Sequence, residues 1–310
     1  MTWILLATGA QFLNAIVAIF DKYLVTDKQA LPRPFVYAFY SCIVTSFWVV
    51  IYFIGFLPGM AALGVPQFSN VETPTIQVVG MAFLAAYTFF MALVSLYNAL
   101  KLADASDVMP VIGAVSAMAT FGMSYLFLDA RLSPNFIWGI TLLAIGTLLV
   151  SQVRFTADIV RDTIHSGLFF ALHFIAMKGL FDETSFDDGF FWSRVCLVLF
   201  ALSLLLVPAY YDKITAQTKT TSARTGILVF CNKLLAGVAA FMLLKATDWG
   251  DVAVVQALDG LKFVFILAIS LLFGRFIPES AGENDNDFKT LVRKFLYVSI
   301  ICIGYVILFT

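Results

Sequence analysis

Residues 251–274, DVAVVQALDGLKFVFILAISLLFG, form an apolar run of membrane length that carries Gln256, Asp259 and Lys262 near its middle. At about 1.5 Å per helical residue, Asp259 falls roughly 12 Å and Lys262 roughly 16 Å from the start of the run. That is close to the centre of a hydrocarbon core about 30 Å thick. Ionisable groups at such depth are costly, and as a rule they face a bundle interior or a wet cavity and mark a substrate, ion or proton path. The local alternative is that Asp259 and Lys262, three residues apart, share a helix face and neutralise each other.

Composition places this run in a membrane protein. The 310 residues are 61% hydrophobic and only 13% charged, with a mean hydropathy of +0.93. A soluble domain carries roughly a quarter charged residues. The net charge of −1 gives no reason to expect nucleic acid as a partner. Cys42, Cys196, Cys231 and Cys302 fall inside apolar runs at unrelated spacings, so neither a disulfide framework nor a metal site is expected, and they read as small buried hydrophobes.

Outward from the quoted run, nine more stretches are long enough to span. Trp3–Val25 reads as the first span and not as a signal peptide, since it lacks a basic leader and a small-residue cleavage site. Gln11 and Asn14 lie inside it, with Asp21 and Lys22 at its far end. Pro34–Phe56, Thr75–Leu100, Val108–Leu128 and Phe136–Val153 complete a first set of five. Leu57–Pro74, punctuated by Pro58, Gly59, Gly64, Pro66 and Pro74, reads as an interfacial loop. After the short charged linker Arg154–Asp162 come Ile164–Leu180, Phe190–Tyr211, Thr225–Leu244, Val252–Phe273 and Leu291–Phe309. Glu279–Asp287 reads as a solvated acidic loop, and no soluble domain is expected.

The two sets of five are related internally. LKLADASDV (100–108) aligns with LKATDWGDV (244–252), matching Leu, Lys, both Asp residues and Val at one offset. Weaker echoes pair Lys22-Tyr-Leu24 with Lys178-Gly-Leu180, and Phe39-Tyr-Ser41 with Phe191-Trp-Ser193. Halves with an odd number of spans run oppositely through the bilayer. The expected fold is therefore all-α and integral to the membrane, with ten transmembrane helices as two inverted five-helix repeats, residues 1–153 and 164–310. Inverted repeats of this kind are typical of secondary transporters, whose substrate site tends to lie near the midplane between the halves.

These halves, the repeated Leu-Lys-x-x-Asp-x-x-Asp-Val pattern, Pro110 and the stretch FLDARLSPNF (127–136) resemble ten-helix permeases of the drug/metabolite transporter superfamily, of the EamA type. The resemblance covers essentially the whole chain. It implies a transporter or exporter of small organic solutes, without identifying the solute. A glutamate common in the family at the end of the fourth span is Asp129 here, and the second half reads Gly274-Arg275 at the corresponding place.

Depth along each span brings Asn14, His173, Lys233, Asp259 and Lys262 to one level, roughly 10 to 20 Å from either face. The fourth-span counterparts of Gln256, Asp259 and Lys262 are Ile112, Val115 and Met118, so the polar load is concentrated in the second half. Candidate pathway residues are Asp259, Lys262, Gln256, Lys233, His173, Asn14, Asn232 and Tyr87. Each has a plainer reading. His173 can be a hydrogen-bonded packing residue, and Lys233 can snorkel to the surface. Asn14 and Asn232 can be interhelical glue, and Tyr87, Tyr97 and Trp192 can simply pack. Gly113, Ala117, Gly139, Gly146 and Gly304 read as close-packing positions, and Arg194 as an interfacial anchor.

Lys233, Lys262 and Asp259 in one cavity would sum to +1, a charge that recruits a counter-ion or shifts a pKa. The expected function is secondary transport, in the export direction, of an amino acid or another anionic or zwitterionic metabolite across the cell membrane. A coupling proton, taken up by Asp259 or His173, or a sodium ion would drive it, with no cofactor and no metal. A cationic drug exporter using Asp259 is the competing transport reading. A membrane-embedded enzyme would need a nucleophile or metal site, yet the chain has only His165 and His173, with neither H-E-x-x-H nor G-x-S-x-G. A non-transporting membrane subunit leaves the midplane charges without purpose. Lys and Arg concentrate on the side reached by the end of the first span, Lys22, Lys28, Arg33, Lys101, Arg154 and Arg161 among them. The positive-inside rule makes that side cytoplasmic, whereas the resemblance implies cytoplasmic termini.

Overall fold

The apolar runs fold as helices whose starts are fixed by polar residues placed just ahead of them. In the computed structural model, Thr75, Thr156, Ser185 and Ser222 each accept a hydrogen bond from a backbone N–H in the first turn that follows. Such caps satisfy donors that lipid cannot. The structure describes residues 2–26, 33–60, 64–103, 105–128, 134–150, 156–273 and parts of 296–307, among which there is no strand.

The helices are α1 (Thr2–Thr26), α2 (Pro34–Ser46) continued by a 3-10 turn into α3 (Ile51–Gly55), α4 (Ile76–Leu102), α5 (Ala105–Phe127) and α6 (Pro134–Val150). They are followed by α7 (Ala157–Glu183), α8 (Phe186–Ser203), α9 (Pro208–Thr220), α10 (Ala223–Trp249), α11 (Val252–Ala257) and α12 (Gly260–Phe273). Among the described residues, counting Pro34–Gly55 and Val252–Ser270 as one helix each, eight are long and apolar enough to cross a membrane, and α6, at the fifth expected span, is a shorter apolar helix. The chain is thus an all-α, multi-pass membrane protein. The tenth expected span lies largely outside the described residues, as do Asp129, Gly274-Arg275 and the acidic stretch 279–287.

Three elements differ most from expectation. The sixth span starts at Ala157, not Ile164, because Thr156 caps it, so residues 157–162 of the expected linker are helical. The seventh span starts at Phe186, not Phe190, because Ser185 caps it and Asp187 and Asp188 occupy its first turn, where the helix dipole favours acids. Pro208 then breaks the chain, so Ala209, Tyr210 and Tyr211 belong to the separate helix α9, whose only buried residues are Ile214 and Gln217. The loop after α3 behaves as its punctuation predicts: Gly59 and Gly64 have φ of 85° and 75°. Its later part is stitched to the start of α8. Asp187 accepts from Gln67 N (3.1 Å) and Asn70 Nδ2 (2.8 Å), and Asp188 accepts from Glu72 N (2.8 Å).

Hydroxyls inside the spans mostly return to their own helix. Thr8, Ser41, Thr45, Ser46, Thr88, Thr163 and Thr247 each donate to the carbonyl four residues earlier, which allows polar side chains in an apolar bundle. α4 and α7 lie antiparallel and are joined by two longer-range bonds in a seven-residue register. Ser166 Oγ donates to the Ala92 carbonyl (3.0 Å) and His173 Nδ1 to that of Ala85 (2.9 Å). Gly167, beside the first of these, lets α7 approach α5. A Cβ there would stand 2.7 Å from Val115 Cβ and 2.9 Å from the Ile112 carbonyl oxygen. Because a backbone oxygen cannot step aside, Gly167→Ala is expected to destabilise by roughly 1–3 kcal/mol. Gly80→Ala, with nothing within 4 Å of its Cβ, should leave the thermal melt in detergent unchanged or slightly raised. Equal melts for the two variants would contradict this packing.

Candidate functional site

A cavity of about 140 Å³ lies within the bundle, with walls from α1, α2, α4, α5, α7, α8, α10 and the α11–α12 segment. Its polar lining comprises Asn14 and Asp21 of α1, Ser41 and Thr45 of α2, Tyr97 of α4, Ser116 of α5, His173 of α7, Arg194 of α8 and Lys233 of α10. Gln256, Asp259 and Lys262 complete it. Phe89, Phe170 and Phe174 supply aromatic surface. At roughly 10–15 Å³ per water-sized sphere, the space suits a cluster of waters or a small organic solute.

One end of the cavity is organised by Asp21. Its Oδ1 accepts from Lys233 Nζ (2.6 Å), from Asn232 Nδ2 (2.7 Å) and from the Tyr37 hydroxyl. Lys233 Nζ also donates to the Tyr97 hydroxyl (2.8 Å), and it sits 4.6 Å and 5.1 Å from the centroids of the Tyr37 and Tyr97 rings. Ser41 Oγ lies 3.1 Å from the same Tyr97 oxygen. A buried lysine thus has a carboxylate, a phenol and two ring faces, the kind of full satisfaction a buried charge requires. Lys233 is only 2% exposed and does not snorkel. Nor is it a surplus cation, as its expected grouping with Lys262 and Asp259 implied.

The other end is built by a tight turn in the ninth span. α11 stops at Ala257 and α12 begins at Gly260. Between them the backbone tightens to i→i+3 bonds, Asp259 N to Gln256 O, Leu261 N to Leu258 O and Lys262 N to Asp259 O. Asp259 therefore sits in a tightened 3-10 turn within the span, with Leu258 still in right-handed helical conformation. Lys262 Nζ reaches both its oxygens, at 2.8 and 2.9 Å. The local ion pair and the cavity location hold together. Gly113 of α5 makes room for the carboxylate: a Cβ there would stand 2.8 Å from Asp259 Oδ2. Gln256 Oε1 accepts from Ser116 Oγ at 3.0 Å, tying α11 to α5.

Of the eight residues expected on the pathway, Asp259, Lys262, Gln256, Lys233, His173 and Asn14 line this cavity. Asn232 stands behind it as a positioning group on Asp21. Tyr87 is outside: it is 44% exposed and packs edge-on against Phe169 and Phe200. The side chain of His173 is both a packing rung, through its bond to Ala85, and a wall residue.

Two residues of the site escape a reading by depth. Asp21 lies more than a turn inside α1, and the spacing Gln11, Asn14, Asp21 on one face is the signal for it. Arg194, expected as an interfacial anchor, is eight residues into α8 and 4% exposed. The cap at Ser185 and the acids after it reveal that depth.

No family profile and no curated protein matches this chain. A solved structure described only as "Crystal structure of protein" is similar in fold, with a TM-score of 0.62 over 98% of this chain and 96% of that one at 16% identity.

Proposed function

We propose that the chain is a secondary transporter of the drug/metabolite type in the cell membrane. It has ten spans in two inverted five-helix repeats and moves a small anionic or zwitterionic organic solute by alternating access. The observation that carries the reading is the cavity between residues of both halves, lined by two ion pairs and an arginine.

Support for the repeat comes from equivalent contacts. Lys22, near the end of α1, donates to the Leu100 and Ala103 carbonyls at the end of α4 (2.7 Å each). Its counterpart Lys178, near the end of α7, donates to the Asp248 carbonyl at the end of α10 (3.2 Å). The first helix of each half packs against the third of the other, α1 on α10 and α7 on α4. A cation exporter fits less well, because both cavity carboxylates already hold a lysine.

Reconstitution tests the proposal. Proteoliposomes loaded with a mixed metabolite pool, read by mass spectrometry, are expected to release at least one small anionic or zwitterionic solute faster than protein-free vesicles. Equal release of every solute, or selective release of amines alone, would remove it.

A further inference from the structure

Charge balance sets Arg194 apart from the other ionisable groups of the cavity. Asp21 is neutralised by Lys233 at 2.6 Å and Asp259 by Lys262 at 2.8 Å. Arg194 has no carboxylate within ion-pair distance among the described residues. Its contacts are Ser193 Oγ, 3.3 Å from Nε, and the Phe190 ring, centred 5.1 Å from Cζ. His173, whose Nδ1–H points at the Ala85 carbonyl, adds no negative charge. The cavity therefore carries one uncompensated positive charge, and it belongs to the one side chain that cannot shed its proton. A lysine in that position could neutralise itself; a guanidinium has to find an anion.

Resting on the transporter reading, we propose that Arg194 is the anion-binding residue of the cavity. The site then takes solutes bearing one carboxylate or phosphate and no ammonium group. The planar fork of Arg194 engages two oxygens of either group, and Phe89, Phe170 and Phe174 cover the apolar body. An amino acid is disfavoured because its ammonium would meet Asp21 or Asp259 only by displacing a lysine that already holds it. A cation is disfavoured for the same reason and is repelled by Arg194 as well.

The test uses the purified full chain in nanodiscs, equilibrated with an equimolar mixture of lactate, phenylacetate, glycerol 3-phosphate, phenylalanine, glucose and putrescine. Bound solutes are identified by mass spectrometry. Wild type is expected to retain one or more of the first three, and Arg194→Gln to lose them by roughly 30-fold or more, with Arg194→Lys in between. Anion retention unchanged in Arg194→Gln overturns this assignment while leaving the transporter reading intact. Preferential retention of phenylalanine, glucose or putrescine overturns the solute class. Retention of nothing by wild type removes both readings. Stability gives an independent measure that guards against a merely unfolded variant. Without solute, Arg194→Met removes an unpaired charge and keeps an apolar stem, so it should melt at or above wild type and lose the upward shift that anions produce. A lower melt would mean that the guanidinium is already compensated within the fold.

Discussion

Asp21→Ala is expected to destabilise the folded chain by about 3–5 kcal/mol, the usual consequence of removing one partner from a buried ion pair. The carboxylate oxygen that Lys233, Asn232 and Tyr37 share would be gone. Lys233 would be left with the Tyr97 hydroxyl and two ring faces around a charge that is 2% exposed. Lys233→Met should cost less, because Asp21 retains the Asn232 and Tyr37 donors. The double variant Asp21→Leu/Lys233→Met should recover much of the loss, since a well-packed apolar pair of similar volume often replaces a buried ion pair without penalty. Chemical unfolding in detergent measures all three. Closed by the single variant Asp21→Leu, the double-mutant cycle is expected to show a coupling energy toward the upper part of the roughly 0.5–3 kcal/mol range seen for contacting residues. Single and double variants that add independently would show that the two side chains are not held as the geometry has them.

What is legible in the sequence and what stays hidden follow from one physical difference. The charges of 251–274 stand in the middle of an uninterrupted apolar run, so depth alone marks them, and Asp259, Lys262 and Gln256 do line the cavity. Depth cannot mark a residue near the end of a run, because a helix end is judged from where polarity begins. Asp21 and Arg194 read as surface residues for that reason. The helices in fact continue past them to Thr26 and back to Phe186, and the caps fix those limits better than hydropathy does. Partner choice is also hidden. Lys233 and Asp21 are 212 positions apart in sequence, and only the packing of α10 on α1 joins them. The tight turn after Ala257 has no proline to announce it; Gly260 is the one local hint, and glycine inside a helical run is ambiguous. Gly113 can be read as a packing position but not as the space for a carboxylate, which requires knowing what lies opposite. Tyr87 shows the converse error, an aromatic at plausible depth that turns outward to Phe169 and Phe200.

Asp259→Asn and Lys262→Gln should move anion affinity in opposite directions, and the opposition separates a working charge from a structural one. With the two ion pairs and Arg194 ionised, the wild-type cavity sums to +1; Asp259→Asn raises it to +2 and Lys262→Gln lowers it to zero. For charges on the order of 8 Å apart at an effective dielectric near 20, one unit charge changes the interaction by roughly 2 kcal/mol. That is about 30-fold in dissociation constant. Asp259→Asn should therefore bind an anionic solute tens of times more tightly and release it more slowly, so that flux falls while affinity rises. Lys262→Gln should bind it tens of times more weakly, because Asp259, freed from its lysine, becomes an alternative counter-ion for Arg194. Both side chains are partly exposed to the cavity, at 13% and 16%, so stability should change little beside the pair of Asp21 and Lys233. Gly113→Ala probes the same geometry without altering charge. Its Cβ would press on Asp259 Oδ2 at 2.8 Å and turn the carboxylate from Lys262, so affinity should shift less than in either charge variant. Binding isotherms for a retained anion, measured on the four proteins, decide the matter. If the pair only braced the tight turn, both charge variants would weaken binding together. If the cavity served cations, both signs would invert.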